Sequence, residues 1–193
     1  MTSKYSILTD GELMHFIQQG EVSAFDELYL RYSRPLLRYF TRMLNYDKEK
    51  AEDAFHDLFL KIVEKPEQFD KSKSFKTWIY SSAYNASKNY YKHIEIVKDA
   101  LEEMKQTEDI LDEKFLLTAA AKMDADSFKK SLANVVDALP LEKKTTFILR
   151  YQEDRSIVEI AEIMECTEGT VKSRIHYTLK TLSEKLTIYN PLI

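Results

Sequence analysis

Residues 156–182 read SIVEIAEIMECTEGTVKSRIHYTLKTL, and this stretch decides the fold: it predicts two helices meeting at a tight turn. Ser156 followed three residues later by Glu159 is a capping box, in which each side chain satisfies a free backbone N–H of the first helical turn. The helix it opens turns Ile157, Ile160, Ala161 and Met164 toward a core. Thr167 starts a second helix as N-cap, with Glu168 favourable against the helix dipole. Val171, Ile175, Leu179 and Leu182 then recur at helical spacing. The other face holds Thr170, Lys172, Ser173, Arg174, His176, Tyr177 and Lys180. Short polar groups near a helix N-terminus can reach base edges and the cations beyond them can reach phosphates, as in the recognition helix of a helix-turn-helix. On this stretch alone a helical hairpin with a solvated basic face stays open as the alternative.

Working outward, the chain has 193 residues, 44% of them hydrophobic, with only three glycines and four prolines. That composition can bury a core and favours long helices, so an all-α fold is expected. The single cysteine, Cys166, excludes an intramolecular disulfide and a multi-cysteine zinc site within one chain. No apolar run approaches the roughly 20 residues that cross a bilayer, and the N-terminus has no signal-peptide pattern. The expectation is a cytoplasmic protein with no membrane insertion. The net charge of −4 is unusual for a DNA binder. Residues 93–125 hold nine acidic residues against four lysines, a charge of −5, so the rest of the chain is only +1. Nonspecific DNA affinity scales with the phosphates neutralised, so such a chain needs help to hold DNA.

Taken in order, Thr9 or Asp10 caps a first helix that Gly20 ends, and a long helical pattern runs on from Ser23. Pro35 predicts a kink or break in it. Asp47 opens another helix with Ala51, Ala54, Phe55, Leu58 and Ile62 inward and Glu52, Asp53, His56, Asp57 and Lys61 outward. Residues 65–74 form a loop too polar to bury, and Lys71, Lys73 and Lys76 cluster around Phe69 and Phe75. A helix over 74–91 sets Phe75, Trp78, Ile79, Ala83 and Ala86 on an apolar face. Lys76, Tyr80, Tyr84, Asn85, Lys88, Tyr91 and Lys92 lie elsewhere on it, cations interleaved with aromatics as single-stranded nucleic-acid sites require. Trp78 reads as a core anchor. Residues 93–125 form an acidic, partly helical linker. A second domain begins near Asp126 with Phe128, Leu132, Val135, Val136 and Leu139, then a helix after Pro140 with Phe147, Ile148 and Tyr151 in its core, and then the opening stretch.

In order and spacing these stretches resemble a bacterial RNA polymerase sigma factor of the small, two-domain extracytoplasmic-function group of the sigma-70 family. Ala24-Phe25, Leu28-Tyr29 and Tyr32 are similar to its first region; Ala51-Glu52-Asp53, Asp57 and Phe59 to its polymerase-binding helix; Phe75, Trp78, Ala83 and Asn85 to the helix that melts the minus-10 element. Leu139-Pro140, Phe147, Leu149-Arg150, Ile160-Ala161 and residues 169–174 are similar to the domain that reads minus-35. The resemblance implies an all-α fold of two small helical domains: a region-2-like domain over 9–92, the linker over 93–125, and a region-4-like helix-turn-helix domain over 126–187.

It also implies the partners: core RNA polymerase, through its largest-subunit clamp helices and flap, promoter DNA, and room for an anti-sigma factor. Polymerase binding falls to Glu52, Asp53, His56, Asp57, Phe59 and Lys61. Minus-10 DNA falls to Lys71, Lys73, Phe75, Lys76, Asn85, Lys88, Tyr91 and Lys92, with the loop before the helix capturing a flipped base. Minus-35 DNA falls to Thr167, Glu168, Thr170, Lys172, Ser173, Arg174, His176, Tyr177 and Lys180. No catalytic residue, cofactor or metal is implied. The chain departs from the family pattern at His56 (usually glutamine), Tyr84 (arginine), Glu165 (a turn glycine), Tyr177-Thr178 (arginine-alanine) and Lys143-Lys144 (an arginine). The competing readings are a stand-alone helix-turn-helix regulator or a sigma-like decoy, and an all-α enzyme. Against the enzyme, His15, His56, His93, His176 and Cys166 fall on separate elements without ligand or triad spacing.

Overall fold

The structure, a computed structural model, describes residues 4–104 and 125–189, and among these every regular element is helical. A 3-10 turn, Lys4–Ile7, leads into α1 (Asp10–Gln18), α2 (Val22–Met43) and α3 (Lys48–Glu64). A second 3-10 turn, Pro66–Gln68, precedes the long α4 (Phe75–Met104). The C-terminal part is α5 (Ala125–Asp137), α6 (Leu141–Tyr151), α7 (Ile157–Ile163), α8 (Glu168–Lys185) and a closing 3-10 turn, Thr187–Tyr189. The helix expected over 74–91 therefore continues to Met104; residues 105–124, the rest of the linker, lie outside the described part.

Local signals set most boundaries. Thr9 makes a full capping box with Glu12, and Gly20 takes φ +86° between α1 and α2, a backbone angle that glycine adopts freely. Asp47 accepts from the Lys50 N–H to open α3, and the Ser74 hydroxyl accepts from the Thr77 N–H to open α4. Ser156 and Glu159 form the capping box expected at α7. The break allowed for at Pro35 is a correction: α2 continues through it as one helix. Proline forfeits one helical hydrogen bond, but α2 packs against α1, α3, α4 and α6, and this tertiary support outweighs the local penalty.

The main core joins α1 to α4 through Leu13, Met14, Leu28, Leu36, Tyr39, Phe40, Met43, Ile62, Ile79 and Ala83, all fully buried. Trp78 is buried with them. This core does not stop at α4: Ile148, Leu149, Ile160, Ile163, Met164 and Val171 belong to the same apolar cluster. A smaller core, Val136, Phe147 and Leu182, ties α5 to α6 and α8. Three further expectations fail here. Phe69, in the loop read as too polar to bury, is buried against Phe75 and Trp78. Tyr151 is half exposed, while Lys144, Thr145 and Thr146 of the same helix are buried. On α8 the inward position is taken by Thr178, with Leu179 turned out.

Candidate nucleic-acid and polymerase interfaces

The start of α8 is capped as the sequence predicts. The Thr167 hydroxyl accepts from the Thr170 N–H at 3.1 Å, and Val171, Thr178 and Leu182 anchor the inner face. Lys172, Ser173, His176, Tyr177 and Lys180 stand exposed along the outer one, with Thr167 and Glu168 exposed at the start. Arg174 is half-buried and turns back on the inter-helix turn, its guanidinium 3.7 Å from Cys166 Sγ. Glu165, where the family favours glycine, has φ +50°, so the turn keeps its shape with a side chain in the left-handed region.

On α3, Glu52, Asp53, His56, Asp57 and Lys61 form one exposed stripe. Phe59, expected with them, is buried instead, its ring 4.9 Å from those of Tyr29 and Phe55. It props the stripe from behind. Sequence reading missed three exposed apolar neighbours: Tyr29, which packs on Phe59, and Leu60 and Val63 on α3 itself. Charge alternation drew attention to the stripe, whereas an outward leucine carries no signal in a sequence.

The residues assigned to minus-10 DNA divide between the loop and first turn of α4 and a later, opposite face of that helix. Lys71, Lys73, Phe75 and Lys76 line a cavity of about 440 Å³, together with Phe69 and, from α1, Thr9, Asp10, Gly11 and His15. Ser72 donates both its N–H and its hydroxyl to Asp70, which shapes the loop and holds the Asp70 carboxyl below its usual range. Phe75 is itself buried, packed edge-on against Tyr32 and Phe69, and forms the cavity floor. Asn85 lies nine residues beyond Lys76, half a helical rotation away at about 100° per residue. It faces a groove of about 580 Å³ shared with Asp53, Asp57, Lys61, Asn89 and Tyr90. Lys88 and Lys92 are exposed. Tyr91 is taken up by the fold: its hydroxyl donates to the Met43 carbonyl at 2.6 Å, and burial pushes its pKa up to about 12.

Tyr80 and Tyr84, read as outward, are buried because α6 and α7 cover that side of α4. Lys76 Nζ lies 3.9 Å from Glu159, Lys73 Nζ 3.6 Å from Glu165, and the Thr77 hydroxyl 3.4 Å from Glu162. Among the described residues no group of three or more His, Cys, Asp or Glu is placed to hold a metal, and no helix is long and apolar enough to cross a membrane.

Residues 28–94 match the model of sigma-70 region 2, and residues 129–182 that of sigma-70 region 4. The chain is also 30% identical over 190 residues to the ECF RNA polymerase sigma-E factor of Haemophilus influenzae, covering 93% of this chain and 96% of that protein. The chain belongs to the extracytoplasmic-function sigma factors of the sigma-70 family. Two solved structures share this sigma fold. One is CnrH in complex with the cytosolic domain of CnrY, with a TM-score of 0.67 at 17% identity over 94% of this chain and 99% of that one. The other is the sigma factor RpoE in complex with the anti-sigma factor NepR from Bartonella quintana, at 0.62 and 19% over 86% and 98%. α3 lies within the region 2 match, and residues 168–182 of α8 lie within the region 4 match.

Proposed function

We propose that this sigma factor binds core RNA polymerase through α3, captures an unstacked minus-10 base in the 440 Å³ cavity, and reads the minus-35 duplex with α8. The observation that carries the reading is the cavity: an apolar floor of Phe69 and Phe75 rimmed by Lys71, Lys73 and Lys76 suits a base and the phosphates beside it. The α3 stripe with its apolar flank, Tyr29, Leu60 and Val63, has the mix of buried-area gain and charge steering that protein partners use. Residues 9–92, 93–125 and 126–187 are the corresponding working units. The low net charge follows from the division of labour, because polymerase supplies the nonspecific DNA affinity. The work is done in the cytoplasm, by binding, with no covalent step asked of the chain. An anti-sigma factor is a natural further partner, by analogy with the two solved complexes.

The test is reconstituted transcription. Core polymerase with this chain, given sheared genomic DNA of its source, should initiate at sites that share a pair of sequence elements about 25 base pairs apart. Failure to initiate anywhere refutes the proposal, and so does duplex binding by the chain alone that survives physiological salt with no dependence on polymerase.

A further inference from the structure

The geometry points to Asp10 as the residue that selects the captured base: its carboxylate admits a base with an exocyclic amino group, adenine, cytosine or guanine, and turns thymine away. The inference rests on the base-capture reading above and gives that site its chemical preference. The three lysines and both phenylalanine rings of the cavity come from the loop and the first turn of α4, and such groups accept any base and any phosphate. The remaining wall differs in kind. It comes from α1 and its cap, Thr9, Asp10, Gly11 and His15, and Asp10 brings the only carboxylate among the described lining residues. A carboxylate repels the phosphates of a strand, so in this place it favours binding only where a donor on the base meets it.

Asp10 is held in position for that role. Arg31 of α2 donates to its Oδ1 at 2.8 Å, and the Tyr32 hydroxyl donates to its Oδ2. Arg31 is fixed in turn: Nε donates to Glu27 at 2.9 Å, Nη1 to the Leu8 carbonyl at 2.9 Å and Nη2 to the Ser6 carbonyl at 3.0 Å. The Tyr32 ring packs edge-on against Phe75, with centroids 5.2 Å apart, so the carboxylate is registered against the cavity floor. Each carboxylate oxygen has two lone pairs and gives one to these partners, so acceptor capacity remains on both. The side chain is a quarter exposed, enough to be met from the cavity. Adenine N6, cytosine N4 and guanine N2 are amino donors that an acceptor-only group can satisfy. Thymine has none. Its edge sets O2 and O4 on either side of N3–H, so an oxygen of Asp10 brought to that edge meets another acceptor, and both are left unpaired out of water.

The test uses the holoenzyme reconstituted from core polymerase and the full chain, with a pool of short single strands of random sequence. The strands it retains are sequenced. The parent pool should hold one position at which thymine is depleted about tenfold, the discrimination of one hydrogen-bonded base edge. Asp10→Asn keeps the size and adds an amide NH2 that can donate to thymine O4. It should restore thymine at that position alone and leave the rest of the selected sequence unchanged, which a loss of folding would not do. A second arm needs no variant: in the best-retained strand the base at that position is exchanged for its analogue without the amino group, purine for adenine, 2-pyrimidinone for cytosine or hypoxanthine for guanine. The parent should then bind about tenfold more weakly. No position depleted of thymine, a depletion that persists in Asp10→Asn, or full affinity for the analogue each overturns the assignment. Gly11→Phe separates this failure from failure of the reading beneath it. Gly11 lines the cavity and an added Cβ there meets nothing within 4 Å, so the ring intrudes on the cavity and not on the fold. Weaker retention of every strand by Gly11→Phe, with no change in selection by Asp10→Asn, counts against Asp10 alone. Retention by Gly11→Phe equal to the parent's, or no retention by the parent, overturns base capture and the selection with it.

Discussion

Replacing Glu165 separates the effect of backbone angle from that of side-chain contacts. At φ +50° a residue with a Cβ costs about 1–2 kcal/mol relative to the right-handed region, and glycine escapes this cost. Glycine in turn loses about 0.5–1 kcal/mol more backbone entropy on folding. The Glu165–Lys73 ion pair, with the glutamate 74% exposed, is worth no more than about 0.5 kcal/mol after solvent screening. Glu165→Ala keeps the strain and loses the pair, so it should destabilise by about 0.5 kcal/mol. Glu165→Gly loses the pair but relieves the strain, and should come out about 0.5–1 kcal/mol more stable than the alanine variant. The assay is urea denaturation followed by circular dichroism at 222 nm. Asp57, exposed in the middle of α3, provides the internal contrast, because there alanine should beat glycine by about 1 kcal/mol. If alanine equals or exceeds glycine at position 165 as well, the turn carries no left-handed strain and the reasoning is refuted.

Ser156→Ala removes the cap of α7 and should cost about 1 kcal/mol, a fall of about 2–4 °C in Tm for a chain of this size. For Glu159, burial raises the carboxyl pKa, but hydrogen bonds from Ser156 and the charge of Arg155 outweigh it, so the folded value lies below the usual 4.5. Below pH 4.5 the unfolded chain binds the proton first, so the stability this group contributes is present above that pH and drains away as acid approaches the folded value. Ser156→Ala should flatten this part of a Tm-versus-pH curve; an unchanged slope would count against the assignment. Lys144, whose pKa burial lowers, should be replaceable by methionine within about 1 kcal/mol, whereas alanine, which leaves a cavity, should cost about 2–4 kcal/mol in the same urea titration. Lys172→Ala and Lys180→Ala should each weaken holoenzyme binding to a minus-35 duplex across sequences and reduce the salt slope by about one.

What the sequence disclosed was local. Capping pairs such as Thr9 with Glu12 and Ser156 with Glu159 act over three residues, so their geometry can be read from spacing alone. The apolar faces of α3 and α7 follow from a period that needs no knowledge of a partner. Pro35 misled because its penalty is local and its compensation is not. Tyr80 and Tyr84 misled for a related reason: each looks solvated in its own helix, and each is buried by elements far along the chain, Tyr80 donating its hydroxyl to Glu153, 73 residues away. Phe59 and Phe75 matched family positions that were read as exposed contacts, but both rings are buried in aromatic clusters, Phe59 behind the α3 stripe and Phe75 at the cavity.

The continuity of the core across α4 bears on how the molecule can be cut. Ile148, Leu149, Ile160 and Ile163 complete an apolar surface begun by α2 and α4, so separating the gene at the linker would not yield two finished globules. Each fragment would carry a raw oily side, and each would tend to cluster with copies of itself unless another macromolecule covered that side.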